Sequence, residues 1–189
     1  MDFKHFVNAV DLVKKIMNYH IKKGDRVLDC TVGNGNDTLL LASLVGEKGK
    51  VYGFDIQSKA LKITKEKLIK ENLEYRVTLI NDGHENIDNY ISGKVDFIVY
   101  NLGYLPGGDK RIKTEINTTL ESIKKSVGLL NNNGLLLITC YTGHDGGLVE
   151  KKGVEYFIKS LNQKKYNALR FNFINQKNNP PILFGVEKL

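Results

Sequence analysis

The chain has 189 residues, 41% hydrophobic and 26% charged, which fits one globular domain with a sizeable core rather than a disordered protein. Its 28 lysines and arginines against 21 aspartates and glutamates give a net charge of +7, which permits a nucleic-acid partner without requiring one, because solvated lysines reach the same balance. No apolar run approaches the roughly 20 residues that cross a bilayer, and MDFKHFVNAV lacks a basic region followed by a hydrophobic one, so neither a membrane span nor a signal peptide is expected.

Phe3, Phe6, Val10, Val13 and Met17 recur at helical spacing and predict an amphipathic helix over 3–19 that packs on the domain. Gly24-Asp25 breaks it and launches a first strand, 26–31, whose hydrophobic residues end in Asp29. A glycine-containing loop leads into an apolar helix at 36–44, then a second strand at 50–55 and a helix at 58–72 with Ala60, Leu61 and Leu68 inward and its lysines outward. A third strand, 75–80, ends at Asn81-Asp82-Gly83-His84, and a fourth, 95–100, runs into a loop at 101–108 too rich in glycine and proline to be regular. Ile116, Leu120, Ile123 and Val127 mark the next helix; 131–134 reads as a turn and 135–141 as a fully buried strand. After a loop at 142–147, Val154, Phe157, Ile158 and Leu161 form one face of a last helix. Strands at about 166–174 and 182–188, joined by NQKNNPP, read as a hairpin-like pair at the sheet edge, where an exposed strand leaves a homodimer possible.

Cys30 and Cys140 each fall at the end of a predicted buried strand and have no metal-ligand spacing, so they read as reduced thiols of a cytoplasmic protein. The Asn117-Thr118-Thr119 sequon then has no consequence. No repeat, low-complexity tract or linker divides the chain, and 1–189 is expected to form a single domain.

Strands alternating with helices, the early ones continuous apolar runs, predict an α/β fold with a mostly parallel sheet covered by helices on both faces. Ligands of such sheets bind at the carboxyl ends of the strands. The loops after the first four strands should therefore converge, and they carry the unusual polar residues.

The stretch RVLDCTVGNGNDT (26–38) is the strand–loop–helix opening of a nucleotide-binding unit. It has Thr38 where a dinucleotide fingerprint wants its third glycine, and no Gly-Lys-Ser/Thr ending for a phosphate loop. Asp29 would repel a pyrophosphate but suits an ammonium group, which S-adenosylmethionine carries. Asp55, at the end of the second strand, suits a ribose with both hydroxyls free, and Asp82 could accept from an adenine amino group, with Gly83 and His84 beside the ring. For each acid the competing reading is a helix cap or a solvated loop residue.

With these residues in register, the chain resembles the Rossmann-like class I S-adenosylmethionine-dependent methyltransferases. The resemblance implies a seven-stranded, mostly parallel sheet and a cofactor site of Asp29, Thr31, Gly33, Asn34, Gly35, Asn36, Asp37, Thr38, Asp55, Ile56, Gln57, Asp82, Gly83, His84, Asn101, Leu102 and Gly103; Thr31 stands where many members have glycine. Asn101-Leu102-Gly103-Tyr104 resembles the Asn-Pro-Pro-Tyr motif of methyltransferases acting on amino groups, in which the Asn101 carbonyl would hold an amine and Tyr104 would stack on a planar base. The competing reading is a glycine-rich turn with Asn101 as a helix cap.

NLGYLPGGDK (101–110), YTGHDGG with Glu150, and NQKNNPPILFGVEK (175–188) are together similar to one small bacterial family labelled as rRNA methylases, which includes enzymes that methylate 5-aminomethyl-2-thiouridine at the tRNA wobble position. That resemblance implies an anticodon-loop substrate and an exocyclic amine acceptor. His144 would then deprotonate the acceptor, contact the RNA, or fix its own turn. Lys110, Arg111 and Lys113 are the first candidates for phosphate contacts, with Lys151, Lys152, Lys164, Lys165 and Arg170 behind them, all against the reading of solvated charge; Asn175 and the residues to Pro181 would shape the pocket rim. The alternatives are an rRNA, small-molecule or protein-amine methyltransferase, an NAD-linked oxidoreductase on the same architecture, and a catalytically silent RNA-binding module.

Overall fold

The computed structural model describes residues 3–105, 107–109 and 111–189. Helix α1 (Ala9–His20) starts later than its periodicity suggests, because the extended Asn8 caps it, its side chain accepting from the Asp11 amide at 2.8 Å. Val13 and Met17 are buried as expected, but Phe3 and Phe6 precede the cap and are 78% and 65% exposed. Lys15 holds that leading segment against the helix through the Lys4 and His5 carbonyls.

The seven strands are β1 (Arg26–Asp29), β2 (Lys50–Phe54), β3 (Val77–Ile80), β4 (Val95–Leu102), β5 (Leu130–Cys140), β6 (Tyr166–Phe171) and β7 (Ile182–Lys188), and they form one sheet in the order β3-β2-β1-β4-β5-β7-β6. Strands β1 to β5 pair in parallel and β7 runs antiparallel between β5 and β6, so the sheet is mostly parallel. The expected turn at 131–134 lies inside β5: pairing with β4 shifts register there, Asn133 takes a left-handed conformation, and Asn131 donates to Asp96 at 2.6 Å. Strand β3 starts two residues late because Glu74–Arg76 forms a 3-10 turn.

Alternate residues of each strand face opposite sides of the sheet. Val27, Val51, Phe97, Val99 and Leu137 pack under α1, α2 (Asn36–Val45) and α3 (Ser58–Lys70). Leu28, Phe54, Ile98, Tyr100, Leu136 and Ile138 pack under α4 (Ile116–Leu129) and α5 (Gly147–Lys159). Strand β6 is the exposed edge, with Leu169 half exposed. Among the described residues no helix is long and apolar enough to cross a membrane.

Candidate active site

The parallel strands aim their carboxyl ends at a cavity of about 980 Å³, and the loops after β1 to β5 converge on it. The first loop contributes Thr31, Gly33, Asn34, Asn36 and Asp37 to the lining; Asp29, Gly35 and Thr38 lie beneath it. Asp29 is fully buried, accepting from Thr38 Oγ1 at 2.6 Å and from the Thr31 amide at 3.1 Å. Burial, reinforced by the neighbouring Asp37, pushes its carboxyl up to about 7. The acid facing the ligand space is therefore Asp37, eight residues on, where burial also raises the carboxyl and Asn101 and Lys14 pull it back. Gly35 shapes the loop from behind: it is left-handed (φ 77°), and a Cβ there would lie 2.4 Å from Thr64 Oγ1.

Asp55 binds the first loop to the second, accepting from Gly33 N–H and Gln57 N–H at 2.8 Å each; Ile56 and Gln57 line the cavity beside it. Asn81 ties this loop to the next by donating to the Asp55 and Ile56 carbonyls. Asp82 accepts from Asn86, Tyr90 and the Gly83 amide, which hold its carboxyl below the ordinary range. His84 is buried, and desolvation lowers its imidazole to about 4, so it is neutral at physiological pH. Its Nδ1 stands 3.7 Å from Glu85, beyond hydrogen-bond reach, and has no partner among the described residues.

The fourth loop of the cavity begins at Asn101, near the end of β4. Its amide N–H donates to Thr31 Oγ1 at 2.7 Å and its side-chain Nδ2 donates to Asp37 Oδ2 at 2.5 Å, and neither bond uses Oδ1. The threonine that replaces a glycine in the first loop thus positions the asparagine of the fourth. Leu102 and Gly103 follow along the wall, then Tyr104, whose ring meets His144 edge-on with centroids 5.9 Å apart. His144 Nδ1 lies 3.0 Å from its neighbour's carbonyl, while the buried Nε2 has no partner among the described residues and faces Gly103.

The expected phosphate contacts fare differently. Lys110 lies outside the described residues. Arg111 is exposed and forked onto Asp109, away from the cavity lining. Lys113 reaches the lining, but its ammonium is held by the Asp145 carbonyl and carboxylate. Lys151 and Arg170 both pair with Glu155. Asn178, Asn179, Pro180 and Pro181 form the rim, whereas Asn175 is exposed and outside it. Sequence reasoning passed over Lys14 and Tyr141, which complete the wall near Asp37. Burial and the charge of Asp37 raise the Tyr141 phenol. Lys14 carried no signal beyond its place on the polar side of a periodic helix.

The family model described as "Putative rRNA methylase" matches residues 51–187. The chain belongs to this family. A tRNA (mnm(5)s(2)U34)-methyltransferase of Arabidopsis thaliana chloroplasts is 34% identical over 186 residues, 93% of this chain and 68% of the plant protein. The crystal structure of a putative rRNA methylase from Clostridium thermocellum superimposes with TM-score 0.95 at 46% identity, over the whole of both chains. A protein of Streptococcus mutans described as a putative methyltransferase, in complex with SAH, gives TM-score 0.87 at 36% identity, again over the whole of both chains. A second model, of protein-L-isoaspartate(D-aspartate) O-methyltransferases, matches residues 1–91, the half that builds the first three loops.

This member of the rRNA methylase family is an S-adenosylmethionine-dependent methyltransferase on the class I fold. The residues present fit that cofactor. Three acids stand on successive loops of the cavity, Gly33 and Gly103 keep bulk away from the backbone, and the unpartnered His84 Nδ1 lies at the third loop.

Proposed function

We propose that this methyltransferase acts on tRNA, converting 5-aminomethyl-2-thiouridine at the wobble position to its methylaminomethyl form. The observation that carries an amine acceptor is the double restraint on Asn101, which leaves a side-chain carbonyl oxygen to accept an amine N–H at the cavity wall. The name of the plant relative supports the wobble position, and the net charge of +7 suits a polyanionic partner.

When bound, S-adenosylmethionine supplies a methyl group already activated by its sulfonium, so the chain's work is alignment. Asp37 offers a carboxylate to the ammonium end of the cofactor, and Asp55 and Asp82 offer acceptors to its ribose and adenine. Asn101 Oδ1 accepts from the acceptor amine and so aims the nitrogen lone pair. Tyr104 presents a half-exposed ring for a planar base, and His144 Nε2 is the free ring nitrogen beside it. The loops after β4 and β5 narrow the space around the reacting nitrogen. The protein works in the cytoplasm, with the tRNA anticodon loop as substrate.

Digesting bulk tRNA from a strain lacking the gene and weighing its nucleosides tests the reading. Accumulated 5-aminomethyl-2-thiouridine supports it; an unchanged profile overturns it. Labelled cofactor incubated with tRNA, rRNA and protein fractions separates tRNA from the rRNA that the family is named for.

A further inference from the structure

We propose that Glu150 is a positioning residue for the acceptor half of the site, acting through Thr114 and Gly103; this deepens the reading above and rests on it. Glu150 lies in the first turn of α5, 3% exposed, where a carboxylate also favours the helix N-terminus. Its Oε2 accepts from Thr114 Oγ1 at 2.9 Å and its Oε1 from Thr119 Oγ1 at 2.6 Å. Thr114 Oγ1 in turn accepts from the Gly103 amide at 2.9 Å, and the Thr114 amide donates to the Gly103 carbonyl at 2.9 Å.

These bonds close the base of the acceptor loop. Gly103 holds φ 148°, a conformation that side-chain-bearing residues rarely adopt, between Leu102 and the candidate stacking ring of Tyr104. The Glu150 amide donates to the Gly146 carbonyl in the first turn of α5, which follows directly on the loop that carries His144. The Glu150 carboxylate therefore ties the acceptor loop to α4 at Thr119 from a helix that begins where the His144 loop ends. The outer edge of the same pair of loops is clasped by Lys113 on Asp145.

Burying a carboxylate is costly, and the cation beside it, Lys151, is committed to Glu155. What Glu150 adds is two acceptors. Thr114, already accepting from Gly103, must donate elsewhere, and only an acceptor lets its hydroxyl do both. A glutamine keeps one acceptor and could still turn it to Thr114, whereas a methionine of similar length offers neither threonine an oxygen.

The test measures cofactor affinity by calorimetry, methyl transfer to tRNA carrying 5-aminomethyl-2-thiouridine, and amide hydrogen exchange over 102–116. Glu150→Met and the near-isosteric Thr114→Val are expected to cut acceptor kcat/KM at least tenfold and to speed exchange at that segment, with cofactor Kd within about twofold. Thr114→Ser, which keeps the hydroxyl, should restore turnover. Cofactor affinity falling in proportion to turnover would make Glu150 general fold support and overturn the proposal. So would unchanged kinetics in both variants, or unchanged exchange at 102–116. If the wild type leaves the tRNA unmethylated, the substrate reading fails instead, and the exchange and cofactor measurements still decide whether Glu150 holds the loop.

Discussion

Asn101 Nδ2 donates to Asp37 Oδ2 at 2.5 Å, joining the fourth loop of the sheet to the first. The pair fixes which face of the asparagine amide looks into the cavity. A carboxylate on the cavity wall therefore also orients the residue proposed to meet the acceptor.

Asn101→Ala removes the acceptor contact and should lower kcat about 100-fold while leaving cofactor affinity nearly unchanged, since a hydrogen bond to a polarised group contributes about 1.5–3 kcal/mol. Asp37→Asn should damage both, weakening cofactor binding about 10- to 100-fold. Calorimetry and initial rates with labelled cofactor separate the two effects. Equal loss of cofactor binding in both variants would contradict the division of labour.

Asp29 should give a pH signature of stability. Its folded carboxyl titrates near 7 against an ordinary value of 3.8, so the folded state holds the proton more tightly. That contribution is full below about pH 4 and is lost as pH rises toward 7, on the order of 4 kcal/mol in all. His84, lowered to about 4, opposes it by stabilising the fold as pH rises through the same window. Urea unfolding from pH 4 to 8 of the wild type and Asp29→Asn isolates the aspartate. The difference between the two should change across that window and flatten above pH 7; a constant difference would refute the assignment.

Gly35→Ala should cost about 1–3 kcal/mol of stability, because φ is 77° and the new methyl group would meet Thr64 Oγ1 and Cγ2. Thr64→Ala in the same chain removes both atoms and should recover part of the loss, leaving the backbone cost. Strict additivity of the two substitutions in chemical denaturation would argue against the clash.

Lys113→Ala should leave the salt dependence of RNA binding nearly unchanged, because its ammonium is spent on Asp145. A phosphate contact would lower the slope of log K against log salt by about 0.7 for a single strand. Filter binding at several salt concentrations distinguishes the two.

The sequence carried most of the architecture because the strands are apolar runs punctuated by glycines, and period-2 burial leaves them little choice of face. Where it misled, a local polar group won. Asn8 started α1 six residues later than the hydrophobic periodicity had it, and the stretch of asparagines at 131–133 became a bulge within β5 rather than a turn. At the site, the register of the loops was legible, but the depth of each acid was not. Asp29 and Asp37 differ in exposure to the cavity only because Thr38 and Thr31 draw the first inward, and no pattern within one strand reveals that. The roles of Thr31 and Thr114 are of the same kind, since each partner lies tens of residues away or on the far side of a loop.

Strand β7 is last in the chain yet sits between β5 and β6. Strand β6 leaves the ribosome first and has no neighbour to join until β7 arrives, so the antiparallel side of the sheet is assembled late. The rim residues Asn178 to Pro181 immediately precede β7 and are drawn into place with it. The pairing of β7 with β5 spans all of α5 and β6, and contacts of such long sequence separation are slow to form. The rim residues are thus the last of the cavity lining to be made, after the loops that carry Asp37, Asp55, Asp82, Asn101 and His144.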